Sequence, residues 1–504
     1  MLILHSKKRK WQVNYGQLLP SLFFLTVLVA GITLKIVISR PSATWVPQTL
    51  SVPSRDHIGI DYYHESMGYL KRTDAEITGD LQQIHAVTNN IKVYHNPYKL
   101  GSLALVTSIV RQAKLLHMHV VWVENDDNTR LTDDNWYTYT NNVITNAAIA
   151  YNAGADEFLV GNEISIHTNG DPGFNDQNLP SRIKLLVKDC KPYFPGPIGY
   201  EEGWYKSASW QAAKLGPLSK IYFTLYEPWH RFKTESDYIA SSFGNTAEIG
   251  ELSTMTTRSQ LHETDEEWTR DLLRRYDYTR QKGLVIWLFT FNEPDNAGFG
   301  LFQSSLYQPL AIWDYLRGVR VMTYRELIYD PSNHDNLQGF SGDFTIDRNR
   351  LRSDAFAAPV LATVPISNYV FRGVATPLST SGSEAWRSMR LVMRYSDVND
   401  YYFVNIEPNS NSIQLYSRQN GIETELGSAH TAIHLGTDYD LEIRINGFGS
   451  STRLQVFWNT TKLFDVTDIT NTNLSAGAVG MKNNGVTGEI SDIVITDLER
   501  SVKR

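Results

Sequence analysis

"EFLVGNEISIH", residues 157–167, decides the fold. Phe158, Leu159 and Val160 form a short apolar run, which then breaks into Gly161, Asn162 and Glu163. Continuous apolar runs of this length are typical of strands buried on both faces, as in parallel sheets. The amide and carboxylate at its end read in two ways: a strand reaching the surface, or chemistry held at the mouth of a barrel. The rest of the chain bears on which.

The same pattern recurs on both sides. Upstream lie "HIGIDYY" (57–63), "IKVYHN" (91–96) and "HVVWVEN" (119–125); downstream lie "PIGYEE" (197–202), "KIYFTLYEPW" (220–229), "AEIGELS" (247–253) and "GLVIWLFTFN" (283–292). Segments such as "SLALVTSIVRQAKLL" (102–116) and "EEWTRDLLRRYDYTRQ" (266–281) stand between them, with apolar residues at i, i+3, i+4 and i+7. Strands alternating with helices imply parallel pairing. Eight such units over roughly 260 residues predict an α/β fold of the (β/α)8 TIM-barrel type. An open doubly wound sheet is the alternative, but no Gly-rich phosphate loop follows the first strand.

Beyond about residue 335 the period changes. "SMRLVMRYS", "YYFVNIE", "SIQLYSR", "YDLEIRING", "TRLQVFWN", "AGAVGMKN" and "ISDIVIT" alternate apolar and polar residues, and Asn420-Gly421 marks a hairpin. An all-β, jelly-roll-like sandwich is expected over 340–498, after a TIM-barrel domain at 57–325. At the other end, "LLPSLFFLTVLVAGITL" (18–34) is uncharged and preceded by Lys7, Lys8, Arg9 and Lys10. It reads as a transmembrane signal anchor over 18–38, with a cytoplasmic N-terminus at 1–17 and a Pro-containing linker at 39–56. A cleaved signal peptide would leave the folded part on the same, periplasmic or extracellular, side.

Composition narrows the function. At 42% hydrophobic and 20% charged residues the chain is globular, and its 504 residues suggest two domains. With net charge −7 and no basic block in the folded part, a nucleic-acid partner is not expected. Twenty-seven Tyr, 20 Phe and 12 Trp suit stacking on sugar rings, though large cores also use aromatics. The one cysteine, Cys190, excludes an intrachain disulfide and a thiolate metal cluster, and reads as an inert buried thiol.

Chemistry in such barrels sits at the C-terminal strand ends. Those ends supply Asp61, His95, Glu124, Asn162-Glu163, Glu201-Glu202, Tyr226-Glu227, Glu251 and Trp287. They contain no HExxH and no serine elbow, so neither a bound metal nor any other catalytic cofactor is expected. Paired carboxylates suit glycoside hydrolysis, one protonating the leaving oxygen and the other attacking the anomeric carbon or activating water. Any one carboxylate at a loop start is more often solvated; the joint position in the barrel carries the reading. Glu201 and Glu202 read as plain loop acids. Glu124 and Glu227 are as compatible with a subsite as with a structural role, and so are His95 and His64 as sugar contacts or satisfied histidines. Trp122, Trp204 and Trp229 are equally open between subsite platforms and rim packing.

Asn-Glu ending strand four and Glu ending strand seven resemble clan A of the glycoside hydrolases, the retaining (β/α)8 enzymes. "FLVGNEIS" (158–165) is similar to the strand-four signature of β-1,3-glucanases and endo-β-1,4-galactanases, and "EIGELS" (248–253) to strand seven of cellulase-like members. The resemblance covers about residues 57–316. It implies Glu163 as general acid/base, Glu251 as nucleophile and Asn162 as a hydrogen-bond partner of the sugar 2-hydroxyl. It further implies Tyr226 as the residue orienting the nucleophile and Trp287 as the floor of the subsite where cleavage occurs. His95, Glu124 and Glu227 complete the candidate substrate contacts.

Two departures stand out. The clan often has an arginine late on strand two, where this chain has Tyr94-His95-Asn96. Glu248 also competes with Glu251: the two point to opposite faces of a regular strand unless the backbone turns between them, and Gly250 favours Glu251. "FNEPDN" (291–296) imitates a cellulase acid motif, but Glu293 would then need a nucleophile inside the sandwich. The sandwich itself resembles the concanavalin-like, laminin-G or glucanase jelly roll, whose members bind sugars and often carry Ca²⁺, so a structural calcium ion there is compatible with the resemblance. The expectation is a membrane-anchored, extracytoplasmic retaining glycosidase or transglycosidase acting on a β-linked polysaccharide. The contrasting reading is a non-catalytic carbohydrate-binding protein on a barrel scaffold, with carboxylates that do not face one another.

Overall fold

Eight parallel strands pair in sequence order and close on themselves. They are β1 (Ile58–Tyr62), β2 (Asn90–His95), β3 (His119–Glu124), β4 (Glu157–Asn162), β5 (Ile198–Gly203), β6 (Lys220–Leu225), β7 (Ala247–Leu252) and β8 (Ile286–Leu288). The closing pair sets Gly59 of β1 against Trp287 of β8. The computed structural model describes residues 46–50, 53–63, 71–99, 101–125, 131–168, 174–175, 177–227, 229–252, 265–288, 302–303, 308–309, 311–319, 323–328, 338–339, 344–347, 350–354, 359–364, 367–447, 451–470 and 477–498. The expected anchor at 18–38, His64, Glu293 and Asp295 lie outside these residues. Among the described residues no helix is long and apolar enough to cross a membrane.

Helices α1 (Asp74–Val87), α2 (Ser102–Leu115), α3 (Asp133–Ala153), α4 (Asn178–Cys190), α5 (Ser207–Ala213), α6 (Trp229–Phe243) and α7 (Asp265–Gln281) ring the barrel. Their starts are encoded locally. Thr73 and Glu76 form a capping box at α1, each side chain bonding the other's backbone N–H. Gly154, at φ 97°, ends α3 in the left-handed conformation that glycine adopts without strain. Ile77, Leu81 and Ile84 of α1 and Val106, Ile109 and Val110 of α2 sit in one core with the outward side chains of the strands, such as Ile91, Val93 and Val120. A separate cluster fills the barrel: Tyr63, Tyr94, Val121, Val123, Leu159, Tyr222 and Trp287. Below it, toward the N-terminal end, Lys220 bridges Glu157 and Glu248. Burial opposes the Glu157 charge, but His119, Lys220 and Tyr222 outweigh it and hold its pKa at about 2.

The C-terminal strands form two antiparallel sheets that enclose a second core, with Phe371, Leu391, Val404, Ile443, Val456 and Ile495 among its members. The part expected as linker contributes a strand to this unit. Val46–Thr49 pairs antiparallel with Thr323–Ile328, which in turn pairs with the last strand, Val486–Asp497. Barrel helices meet the sandwich through ion pairs: His230 Nδ1 of α6 lies 2.8 Å from Asp492, and Glu267 of α7 lies 3.0 Å from Arg444.

Candidate active site

Two local irregularities aim the expected carboxylates. On β4, Leu159 pairs with Gly199 but Asn162 pairs with Glu201, so three steps on one strand match two on the next. Such a bulge re-aims the residues that follow. A Cβ at Gly161 would fall 2.5 Å from Ile164 Cδ1, so only glycine lets the chain turn there. Glu163 then adopts φ 45°, ψ 37°, a left-handed conformation costing a non-glycine residue about 1–3 kcal/mol. Its N–H is anchored on the Glu201 carbonyl at 2.9 Å. The Glu163 carboxyl still reaches solvent in part; burial raises its pKa well above the usual range, and the charge of Glu251 adds to the shift.

On β7, Ile249 pairs through Phe223 whereas Glu251 pairs with the next residue, Thr224, which leaves Gly250 as the extra residue. This bulge resolves the competition between Glu248 and Glu251: both side chains enter the barrel, at opposite ends. A Cβ on Gly250 would stand 2.1 Å from Glu201 Oε1, so the position admits glycine alone. Glu251, 3% exposed, accepts hydrogen bonds from Tyr94 at 2.9 Å and Tyr63 at 3.1 Å on Oε1, and from Tyr226 on Oε2. Phenol donors from three strands' ends leave the carboxylate little freedom to rotate.

Beneath Glu251 lies a buried ionic cluster. Lys92 of β2, fully buried, donates to both oxygens of Glu201 at 2.9 Å, to Tyr94 Oη at 2.9 Å and to the Gly250 carbonyl at 2.6 Å. It stands 3.3 Å from Asp61 Oδ1. Burial works against the lysine charge, but Asp61, Glu201 and Glu251 outweigh it and raise its pKa. Burial also pushes Glu201 up to about 7 and Asp61 well above its usual range, each against the pull of Lys92. The cation absent from the end of strand two is thus supplied two residues earlier, and Tyr94 carries its influence to Glu251.

The structure brings Asn162, Glu163, Tyr226 and Glu251 together. Asn162 is 6% exposed and its Oδ1 has no hydrogen-bond partner, an acceptor left for a ligand's hydroxyl. Glu227 sits at the rim, where burial raises its pKa and Trp204 and Arg231 oppose the shift. Three expectations need correction. His95 and Glu124 do not face the cleft: they bond each other at 3.0 Å, and Glu124 also accepts from Trp122 Nε1 and from Asn146 of α3. Strand residues alternate, so once Lys92 and Tyr94 point inward, His95 must point to the helices. Trp287 is no sugar floor: it is 2% exposed, packed on Gly59, and donates its Nε1 to Glu248 at 2.7 Å near the opposite end of the barrel. Glu201 and Glu202, read as loop acids, are fully buried within β5. Sequence reading missed Lys92, Tyr63 and Tyr94, although a lysine inside the apolar run "IKVYH" was a usable signal.

Among the described residues no group of three or more His, Cys, Asp or Glu is arranged to hold a metal ion. No protein-family model and no curated protein matches the chain. Among solved structures, the GH113 β-mannanase AaManA from Alicyclobacillus acidocaldarius, in complex with ManMIm, is 13% identical. That match covers 52% of this chain and 96% of the mannanase, with a TM-score of 0.38. A second GH113 β-1,4-mannanase is 16% identical over 51% of this chain and 98% of its own, with a TM-score of 0.36. The carbohydrate-binding module CBM66 from Bacillus subtilis is 16% identical over 32% of this chain and 96% of its own, with a TM-score of 0.28. These scores are too low to bear on activity; the side-chain geometry has to do so.

Proposed function

We propose that the barrel is a retaining glycoside hydrolase or transglycosidase that acts on a β-linked polysaccharide by double displacement. The observation that carries this is the pairing of a carboxyl held up in pKa, Glu163, with a carboxylate clamped by tyrosine hydroxyls, Glu251, across one barrel mouth. Glu251 attacks the anomeric carbon while the protonated Glu163 gives its proton to the departing oxygen. Glu163, now ionised, draws the proton from the incoming water or sugar hydroxyl, and the glycosyl–Glu251 ester is released. Water as acceptor gives hydrolysis and a sugar gives chain transfer. The open Oδ1 of Asn162 would take the 2-hydroxyl, a contact that strengthens in the transition state. The alternative, a sugar-binding scaffold without catalysis, gives no role to a strained acid beside a clamped carboxylate.

The test is to incubate the protein with soluble β-1,3- and β-1,4-linked glucans, mannans and galactans and follow the first-formed anomer by NMR. The β-anomer should appear first, and Glu163→Gln should slow the reaction by about 10²–10⁴-fold. First appearance of the α-anomer would refute retention. Turnover that survives in Glu251→Gln would refute the assignment of the nucleophile. The apolar segment 18–38 extends the proposal to a membrane-anchored protein with its barrel outside the cytoplasm. Protease applied to intact cells should then digest the barrel; full protection would contradict this orientation.

A further inference from the structure

The loop after β5 carries an aromatic ring with an unusual seat. Tyr205 is 46% exposed, yet it is held firmly. A Cβ on Gly203 would lie 2.2 Å from its Cε1, so the ring rests directly on glycine backbone. Trp204 meets it edge-on, with ring planes at 89°. Its hydroxyl is 3.3 Å from Ser165 Oγ, and Ser165 donates to the buried Glu202 at 2.6 Å. Glu202 is fixed in turn by the Gly203 N–H at 2.9 Å and the Tyr200 hydroxyl at 3.1 Å. Lys206 Nζ stands 5.4 Å from the ring centroid.

This construction has a place in the reaction. Ser165 lies in the short helix Ile164–His167, directly after Glu163, so the Tyr205 ring is tied to the same segment as the acid. A general acid protonates the oxygen of the leaving sugar, and the leaving unit therefore occupies the acid's side of the cleft. An aromatic face offered there presents a flat apolar surface to the C–H face of a pyranose, and its two side-chain torsions are already fixed by the glycine seat and the hydroxyl anchor. Nothing in the folding of β5 requires a ring that stays 46% exposed.

We propose that Tyr205 is the stacking platform for the first sugar of the leaving group, a neutral hexopyranose unit, with Lys206 beside it as a donor to the sugar's hydroxyls. This rests on the glycosidase reading and goes beyond it by naming the leaving-group subsite.

The test compares two kinds of substrate in full-length protein: β-glycosyl fluorides of glucose, mannose and galactose, and short β-1,3- and β-1,4-linked oligosaccharides of the same sugars. Fluoride departs without a proton and has no ring to stack, so it reports Glu251 chemistry without the platform. Tyr205→Ala should lower the ratio of oligosaccharide to fluoride kcat/KM by about tenfold, and Tyr205→Trp, which keeps a platform, should recover most of that loss. An unchanged ratio would overturn the proposal, whether both rates hold or both fall together; in the second case the ring merely supports Glu163. If wild type turns over no fluoride and no oligosaccharide in a Glu251-dependent way, the glycosidase reading fails and the platform fails with it. If turnover depends on Glu251 but the ratio does not depend on Tyr205, only the platform fails.

Discussion

Replacing Lys92 by methionine tests whether the buried cluster under Glu251 is held together by charge. The methionine keeps the stem's volume and removes an ammonium that bonds both Glu201 oxygens, Tyr94 and the Gly250 carbonyl, all without solvent access. Removing one partner of a buried ion pair costs about 3–5 kcal/mol, because the remaining carboxylates are left uncompensated. Part of this cost is relieved here, since Glu201 already titrates at about 7 and Asp61 well above its usual range, and both can take up a proton. The lower end of the range is therefore expected at pH 6 and the upper end at pH 8. For a barrel of this size the loss corresponds to a fall in melting temperature of roughly 6–20 °C. Calorimetry of the barrel transition at both pH values, with Glu201→Gln and the double variant, completes the cycle. The double variant should be at least about 1 kcal/mol more stable than the sum of the single losses, since it removes the stranded charge together with its cation. Additivity within about 0.5 kcal/mol, or a Lys92→Met melting temperature equal to wild type at pH 8, would refute the reasoning.

Two further outcomes follow from other parts of the fold. Gly250→Ala places a methyl 2.1 Å from Glu201 Oε1 in a barrel that cannot widen, and should cost about 1–3 kcal/mol and most of the turnover; thermal melting and a kinetic assay check it, and near-wild-type values would show that the bulge can relax. At the barrel–sandwich contact, Asp492 is held at about 2, chiefly by its hydrogen bond from His230, and that same bond raises His230 above its usual value. The depressed aspartate contributes stability that is present above its ordinary pKa near 4 and lost as pH falls through about 2. The raised histidine contributes stability that is full below its ordinary pKa near 6.5 and is lost as pH rises through its higher folded value. The melting-temperature gap between wild type and Asp492→Asn should thus be widest near pH 5–6, at about 1 kcal/mol, and shrink toward pH 9; a gap independent of pH would contradict the pairing.

The barrel strands were legible because a strand buried on both faces must be almost wholly apolar, and such runs stand out between amphipathic helices. Glu163 and Glu251 were legible because chemistry gathers at strand ends, where a glycine followed by a carboxylate has few structural reasons to occur. What failed was the assignment of faces. His95 and Tyr94 are neighbours at the end of β2, and only the closed register shows that the tyrosine enters the barrel. Trp287 failed for the same reason, its height in the barrel being set by pairing with Gly59 on the first strand. The pairing of Val46–Thr49 with Thr323–Ile328 is equally non-local: no sequence pattern near residue 46 points to a partner at the far end of the barrel.

That pairing changes how the domains are related as a piece of engineering. Thr49 sits opposite Thr323, so the chain entering the barrel and the chain leaving it are clasped side by side, about 4.8 Å apart, before either continues. The barrel is in effect a bead on a loop whose neck is closed by the sandwich. A pull on the N-terminal side of Val46 runs as shear along the clasp and on into the strand Val486–Asp497, bypassing the barrel altogether. Whatever tethers the N-terminus therefore carries the sandwich as its first load, and the catalytic end hangs from it like a tool from a wrist strap.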